Sequence, residues 1–304
     1  MSRNDPSNKA ASVRQKLLNR SREKGEDFQV LLNRYALERF LYRLSCSAHR
    51  DRFVLKGALL FVLWEGDLHR MTRDLDLLGY GSHAVGDLVQ VVREVFEAEV
   101  EEDGLIFFTD QVGGALIRED QAYEGVRVIV PGRLGSARVR LQIDVGFGDA
   151  VTPGPVESTL PTLLDAPAPV LRTYPKETVV AEKLQAMVVL GIANSRMKDF
   201  YDIAHLAGHF AFDGSLLSEA IRATFERRRT SIPANVPVAL TEAFSTDRTK
   251  QTQWKAFLGK AGLPKEEDLQ RVVETLRSFL WSPLDAAGAG APFERKWKPP
   301  GPWL

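Results

Sequence analysis

The sequence predicts an α+β fold: a small mixed sheet flanked by helices, followed by a helical C-terminal lobe. Three observations carry that expectation. Residues 105–146 alternate apolar and polar side chains between Gly and Pro punctuation; apolar residues recur at helical spacing before and after that stretch; prolines thicken over 150–175 before the pattern turns helical. The division expected from these shifts is 1–155 for N-terminal helices and sheet core, 156–282 for the helical lobe, and 283–304 for a Pro/Gly/Ala-rich tail that forms no regular core element.

Residues 12–24 put Val13, Leu17 and Leu18 on one side of a helix that Gly25 ends. Over 27–45, Phe28, Leu31, Leu32, Tyr35, Leu37, Phe40, Leu41 and Leu44 fall at helical spacing. The arginines between them read first as a solvated face and second as a basic groove for nucleic acid. A further amphipathic helix is expected over 85–102, with Leu88, Val91, Val92, Val95 and Phe96 inward. Short connections between strand-like runs at 105–109, 114–118, 126–130 and 137–146 favour antiparallel or mixed pairing. In the last run Val139, Leu141, Ile143 and Val145 alternate with Arg138, Arg140, Gln142 and Asp144, which puts Asp144 on the polar face. The prolines of 150–175 mark a connection between lobes rather than more sheet. Helices are then expected over 176–190, 198–208, 214–229, 249–258 and 266–280.

Charged residues with chemical potential concentrate in 53–78. In a strand, Arg70, Thr72, Asp74 and Asp76 share one face, so two carboxylates stand side by side and repel unless a cation or proton lies between them. Just upstream, Lys56-Gly57-Ala58 opens an apolar segment that leads into a helix, the glycine letting backbone approach a phosphate. With Asp144 on a neighbouring strand, the aspartates offer three hard oxygen donors suited to Mg²⁺. Two such ions orient an attacking hydroxyl and stabilise a leaving pyrophosphate. A lone Asp-x-Asp also describes two solvent-facing residues of a half-buried strand.

A second constellation lies further on. Lys183 shares a stripe with Val179, Ala186, Met187 and Leu190, a costly place for an ammonium unless it reaches an anion or water. Asp199 and Asp202, three apart, share a helical face; Asp199 also suits a helix start, whereas Asp202 sits further in. Arg227, Arg228 and Arg229 form either an RNA phosphate contact or a solvated face. His205 and His209, one turn apart without a following Glu, read as a packing or surface pair.

Composition narrows the classes. Lys plus Arg, 40, equals Asp plus Glu, 40, so no global basicity announces a nucleic-acid partner. A single cysteine, Cys46, forms no intrachain disulfide. The polar N-terminus and the short apolar run at 55–64 point to a cytoplasmic protein with no membrane partner. No G-x-S-x-G or phosphate-loop signature occurs.

In order along the chain, Lys56-Gly57-Ala58, Arg70-x-Thr72-x-Asp74-x-Asp76, Ile143-Asp144-Val145-Gly146, Glu182-Lys183-Leu184-x-Ala186 and Arg196-x-Lys198-Asp199-x-x-Asp202 resemble the AbiEii/AbiGii toxin family of nucleotidyltransferases, which includes the MenT toxins. The resemblance covers residues 50–210. It implies a DNA polymerase beta-like nucleotidyltransferase core, the toxin half of a toxin–antitoxin pair, an NTP co-substrate with Mg²⁺, and a cognate antitoxin. Some relatives transfer nucleotides to the 3′ end of tRNA and block aminoacylation.

Residue by residue, the resemblance assigns Asp74, Asp76 and Asp144 to metal, and Asp74, Asp76, Lys183 and Asp202 to catalysis. It places Gly57 in a phosphate-binding turn and Lys183 at the nucleotide phosphates, with Asp199 in support; Lys56, Ala58 through its backbone, Arg70 and Thr72 complete the nucleotide-binding candidates. The wider superfamily often has Gly-Ser where this chain has Gly57-Ala58, so residue 58 brings no hydroxyl to the triphosphate. The readings kept beside tRNA nucleotidyl transfer are a non-catalytic RNA- or antitoxin-binding module, and a nucleotidyltransferase acting on a protein or small molecule.

Overall fold

The computed structural model describes residues 6–67, 69–118 and 124–304. The chain divides into two compact units: residues up to Gly148 together with Val156–Thr173, and Asp149–Pro155 together with Tyr174–Leu304. The mixed sheet lies in the first unit and the helical array in the second.

The first unit opens with α1 (Pro6–Lys24) and α2 (Phe28–Cys46). Asp27 caps α2, its carboxylate accepting from the backbone N–H groups of Gln29 at 2.8 Å and Val30 at 3.1 Å. Then come β1 (Phe53–Lys56), α3 (Leu60–Glu65), β2 (Asp74–Gly79), α4 (Val85–Phe96), β3 (Leu105–Phe107), β4 (Gly113–Arg118), β5 (Glu124–Leu134), β6 (Ala137–Phe147), β7 (Val156–Thr159) and β8 (Val170–Thr173). α4 stops at Phe96, short of the expected 102. Four of the six residues that follow, Glu97, Glu99, Glu101 and Glu102, carry carboxylates unfavourable at the negative end of a helix dipole.

Among the described residues these strands form one sheet in the order β3-β5-β6-β2-β1-β8-β7, with β4 also paired to β5. β2 runs parallel to β6 and β1 parallel to β8; the other pairs are antiparallel. The alternation read from β6 holds, since Val139, Leu141, Ile143 and Val145 are all buried. β7 and β8 were not expected, because prolines dominate that stretch. Here Pro161, Pro167 and Pro169 all fall between the two strands, where no ladder needs their missing N–H.

The arginines of α2 are neither a solvated face nor a basic groove. Arg34, Arg39 and Arg43 are buried within the unit. Arg34 pairs with Glu38 and Asp67, Arg39 donates to the carbonyl of Pro167, and Arg43 donates to Asp103 at 2.5 Å. Glu38 in turn accepts the backbone N–H of Leu163 at 2.9 Å. Burial pushes the Glu38 pKa up, against the opposing pull of Arg34.

The second unit contains α5 (Lys176–Leu190), α6 (Met197–His209), β9 (Phe212–Asp213), α7 (Gly214–Arg227), α8 (Glu242–Ser245), α9 (Arg248–Ala261), α10 (Leu269–Ala289) and β10 (Lys296–Trp297). Its core gathers Phe200, Phe225, Phe244, Trp254 and Phe279. The expected irregular tail is instead structured. α10 runs through Pro283, β10 pairs with β9, and Trp297 and Trp303 are buried. Both indoles satisfy their N–H, Trp297 on the carbonyl of Ala207 at 2.7 Å and Trp303 on that of Phe279 at 2.9 Å. Among the described residues no helix is long and apolar enough to cross a membrane.

Candidate active site

Sheet register brings four charged residues into one row. Lys56 on β1 is opposite Asp76 on β2, Asp76 is opposite Asp144 on β6, and Asp144 is opposite Arg127 on β5. Residues in register on adjacent strands share a face, so the row reads cation, carboxylate, carboxylate, cation. Asp74, two residues before Asp76, lies on that face too, while Leu75 and Leu77 are buried on the other. β2 begins only at Asp74, so Arg70 and Thr72 belong to the preceding loop rather than to the strand. There Thr72 donates its hydroxyl to the carbonyl of Asp74 at 3.3 Å.

Arg127 was not singled out from the sequence. Its Nε donates to Asp144 Oδ1 at 2.8 Å and its Nη2 to Oδ2 at 2.7 Å, a bidentate clamp, and Gln142 Nε2 adds a bond to Oδ2 at 3.2 Å. The hydrogen bonds to Asp144 raise the Arg127 pKa; desolvation opposes this, and the charges of Asp144, Asp74 and Asp76 add to the rise. The signal that could have found it is alternation: Val126, Val128 and Val130 are buried, which puts Arg127 on the opposite face.

The turn after β1 is built against the same carboxylates. Gly57 has φ 78°, and a Cβ placed there would overlap the Asp76 carboxylate and come within 2.8 Å of Asp76 Cβ. Only a hydrogen at this position lets the turn pass the acid. Lys56 and Ala58 beside it are buried.

The helical unit holds the second constellation by itself. Lys183 Nζ on α5 donates to Asp199 Oδ1 at 2.5 Å and to Asp202 Oδ2 at 2.9 Å on α6, and Arg196 Nε donates to Asp199 Oδ2 at 2.6 Å. Asp199 is 0% and Asp202 1% exposed. Burial pushes the Asp199 pKa up, but Lys183 and Arg196 outweigh it and hold the carboxyl below its ordinary range. Lys183 is thus paired with two buried acids, as its apolar stripe required.

The arginine triplet splits. Arg227 and Arg229 are exposed, whereas Arg228 turns inward to Asp149 at 2.8 Å, Gln185 at 2.9 Å and Glu182 at 3.3 Å.

The row's donor set fits a hard divalent ion. Asp74 and Asp76 stand on one face of β2, and hard carboxylate oxygens are the donors such an ion prefers. Asp144 fits less simply, because each of its oxygens already accepts from Arg127.

A family model described as nucleotidyl transferase AbiEii toxin, type IV toxin–antitoxin system, matches residues 39–278. No curated protein matches the chain significantly. Two solved structures from Helicobacter pylori are similar at 15% identity. JHP933 has a TM-score of 0.44 over 85% of this chain and 90% of its own. A protein described as a nucleotidyltransferase has a TM-score of 0.45 over 85% of this chain and 93% of its own.

Proposed function

The chain belongs to the AbiEii family of nucleotidyltransferase toxins of type IV toxin–antitoxin systems, and from that premise we propose that it moves a nucleoside monophosphate from an NTP to an acceptor hydroxyl at a tRNA 3′ end. Blocked aminoacylation would make it toxic, and a cognate antitoxin would restrain it. The observation that carries the chemistry is the row Lys56, Asp76, Asp144, Arg127 with Asp74 beside it.

Asp74 and Asp76 would hold Mg²⁺. Bound there, the ion would offset triphosphate charge and polarise the acceptor hydroxyl. The Gly57-Ala58 turn would offer backbone N–H groups to phosphate oxygens, and Lys56 would add a positive charge beside Asp76. Ala58 contributes no hydroxyl, so Thr72 and Arg70 in the loop before β2 are the side chains left to orient the triphosphate. Lys183 and Asp202 carry their nucleotide and catalytic assignments from the sequence pattern. In the helical unit Lys183 is already committed to Asp199 and Asp202, so a phosphate would compete with those carboxylates.

The Asp144 clamp favours a second reading, a module of this fold that binds RNA or antitoxin without catalysis, since its third carboxylate is occupied by Arg127. One experiment separates them. Purified protein is incubated with tRNA and each labelled NTP, with and without Mg²⁺. Label at the tRNA 3′ end that disappears in Asp76→Asn supports transfer. No label on any RNA, or label unaffected by that change, rejects it.

A further inference from the structure

The helical unit carries a cavity of about 470 Å³ that none of the site residues above line. One wall is a stripe of α10 at helical spacing, Glu274, Arg277, Ser278 and Trp281; the facing wall is the C-terminal segment with Arg295 and Trp303. The cavity is a surface depression open to solvent, with a volume within the range of roughly 300–1,000 Å³ that small ligands occupy.

The wall chemistry is selective. Arg277 and Arg295 are exposed and form no ion pair among the described residues, whereas Arg34 and Arg43 on α2 are buried against carboxylates. Trp281 is half-buried and stacks on no ring among the described residues, while Trp303 stacks with Phe279 at 5.7 Å and an interplanar angle of 3°. A half-buried indole that stacks on no other ring, beside two guanidinium groups without an ion pair, is what a base with its flanking phosphates requires. Glu274 and Ser278 add an acceptor and a hydroxyl for a base edge.

The wall is also built rather than loose. The carbonyl of Arg295 accepts the N–H of Gly214 at 2.8 Å, β10 pairs with β9, and Trp303 is anchored on Phe279. A peptide ligand would find little apolar depth here, and a phosphate alone would leave Trp281 unused.

We propose that this cavity binds one nucleotide of a single-stranded RNA segment, its base stacked on Trp281 and its phosphates on Arg277 and Arg295. The choice of RNA over single-stranded DNA rests on the tRNA-directed reading above; the base-plus-phosphate chemistry does not.

The test is fluorescence anisotropy of the full chain with a labelled hexa-uridine RNA and the matching DNA, in EDTA and without NTP. We expect Trp281→Ala to weaken RNA binding about tenfold, the scale of one lost stacking contact, and the double variant Arg277→Gln/Arg295→Gln, which loses two phosphate contacts, to weaken it at least as much. In the double variant the slope of log Kd on log salt should fall by about 1.4, two contacts at about 0.7 each. Trp281→Phe should keep most of the affinity, and thermal melting confirms that each variant folds. Binding is read in EDTA without NTP and transfer is read separately with Mg²⁺ and NTP, so failure of this cavity and failure of the catalytic reading are told apart. Unchanged Kd in the double variant, no binding by the native chain, or equal loss on heparin and RNA in Trp281→Ala would overturn the proposal. Equal affinity for the DNA would overturn the preference for RNA.

Discussion

Arg127 holds Asp144 through two parallel hydrogen bonds, 2.8 Å and 2.7 Å long, while Asp144 faces Asp76 across the parallel pair β2 and β6. One carboxylate therefore lies between a guanidinium and another acid. The clamp offsets the repulsion that a bare cluster of aspartates would suffer.

Removing that guanidinium should favour a metal. Arg127→Gln deletes a positive charge beside the aspartates and frees Asp144 lone pairs. Mn²⁺ affinity, measured by calorimetry, should rise about two- to fivefold, the scale of a half-exposed charge pair. An unchanged or weaker affinity would show that Asp144 and Arg127 do not bear on the ion.

Gly57→Ala should damage the carboxylate row as well as the turn. The residue sits at φ 78° and the new methyl would overlap the Asp76 carboxylate. The backbone cost alone is about 1–2 kcal/mol. A lowered melting temperature together with loss of Mn²⁺ binding is expected; native metal affinity in a folded Gly57→Ala protein would contradict it.

Lys183→Met should destabilise strongly, since it removes the ammonium that two buried carboxylates, Asp199 and Asp202, share. Breaking one side of a buried pair costs about 3–5 kcal/mol. Urea unfolding should show that loss, and adding Asp202→Asn should recover part of it. If the single variant is as stable as the native chain, the lysine is not serving as the counter-ion of Asp199 and Asp202.

Acid stability should depend on Asp213, the N-cap of α7. Its carboxylate accepts from the N–H groups of Ser215 at 2.9 Å and Leu216 at 3.3 Å. Hydrogen bonding from Ser215 lowers its pKa from 3.8 to about 2. A folded pKa below the unfolded one means stability that is present above 3.8 and lost as pH falls toward 2. Asp213→Asn keeps a capping side chain but cannot titrate, so its melting temperature should change less between pH 4 and pH 2 than that of the native chain. Parallel curves would refute the assignment.

Local patterns were legible and distant pairings were not. The alternation in 137–146 correctly placed Asp144, and the spacing in 74–76 put Asp74 and Asp76 on one face, because a two-residue period is set by the strand alone. The burial of Arg34, Arg39 and Arg43 depends on Asp67, Pro167 and Asp103, partners far along the chain that no helical wheel contains. Proline content hid β7 and β8, since composition over a window does not tell a proline inside a strand from one between two strands. The tail misled for a similar reason. Gly, Ala and Pro suggest disorder, yet Trp297 and Trp303 bury enough area to order the segment around them.

The pairing of Leu55 with Thr173 sets an order of events for a chain made from its N-terminus. β1 carries Lys56 into the charged row, but the strand that covers its outer edge is the last piece of the sheet to be synthesised. Until Thr173 is available, the hydrogen-bonding groups on that edge stay open to water or to another chain. A nascent fragment ending at Gly148 would hold every acidic residue of the row and still have an unfinished sheet. The sheet of the first unit is therefore closed only once Val170–Thr173 has been made, after every residue of the charged row.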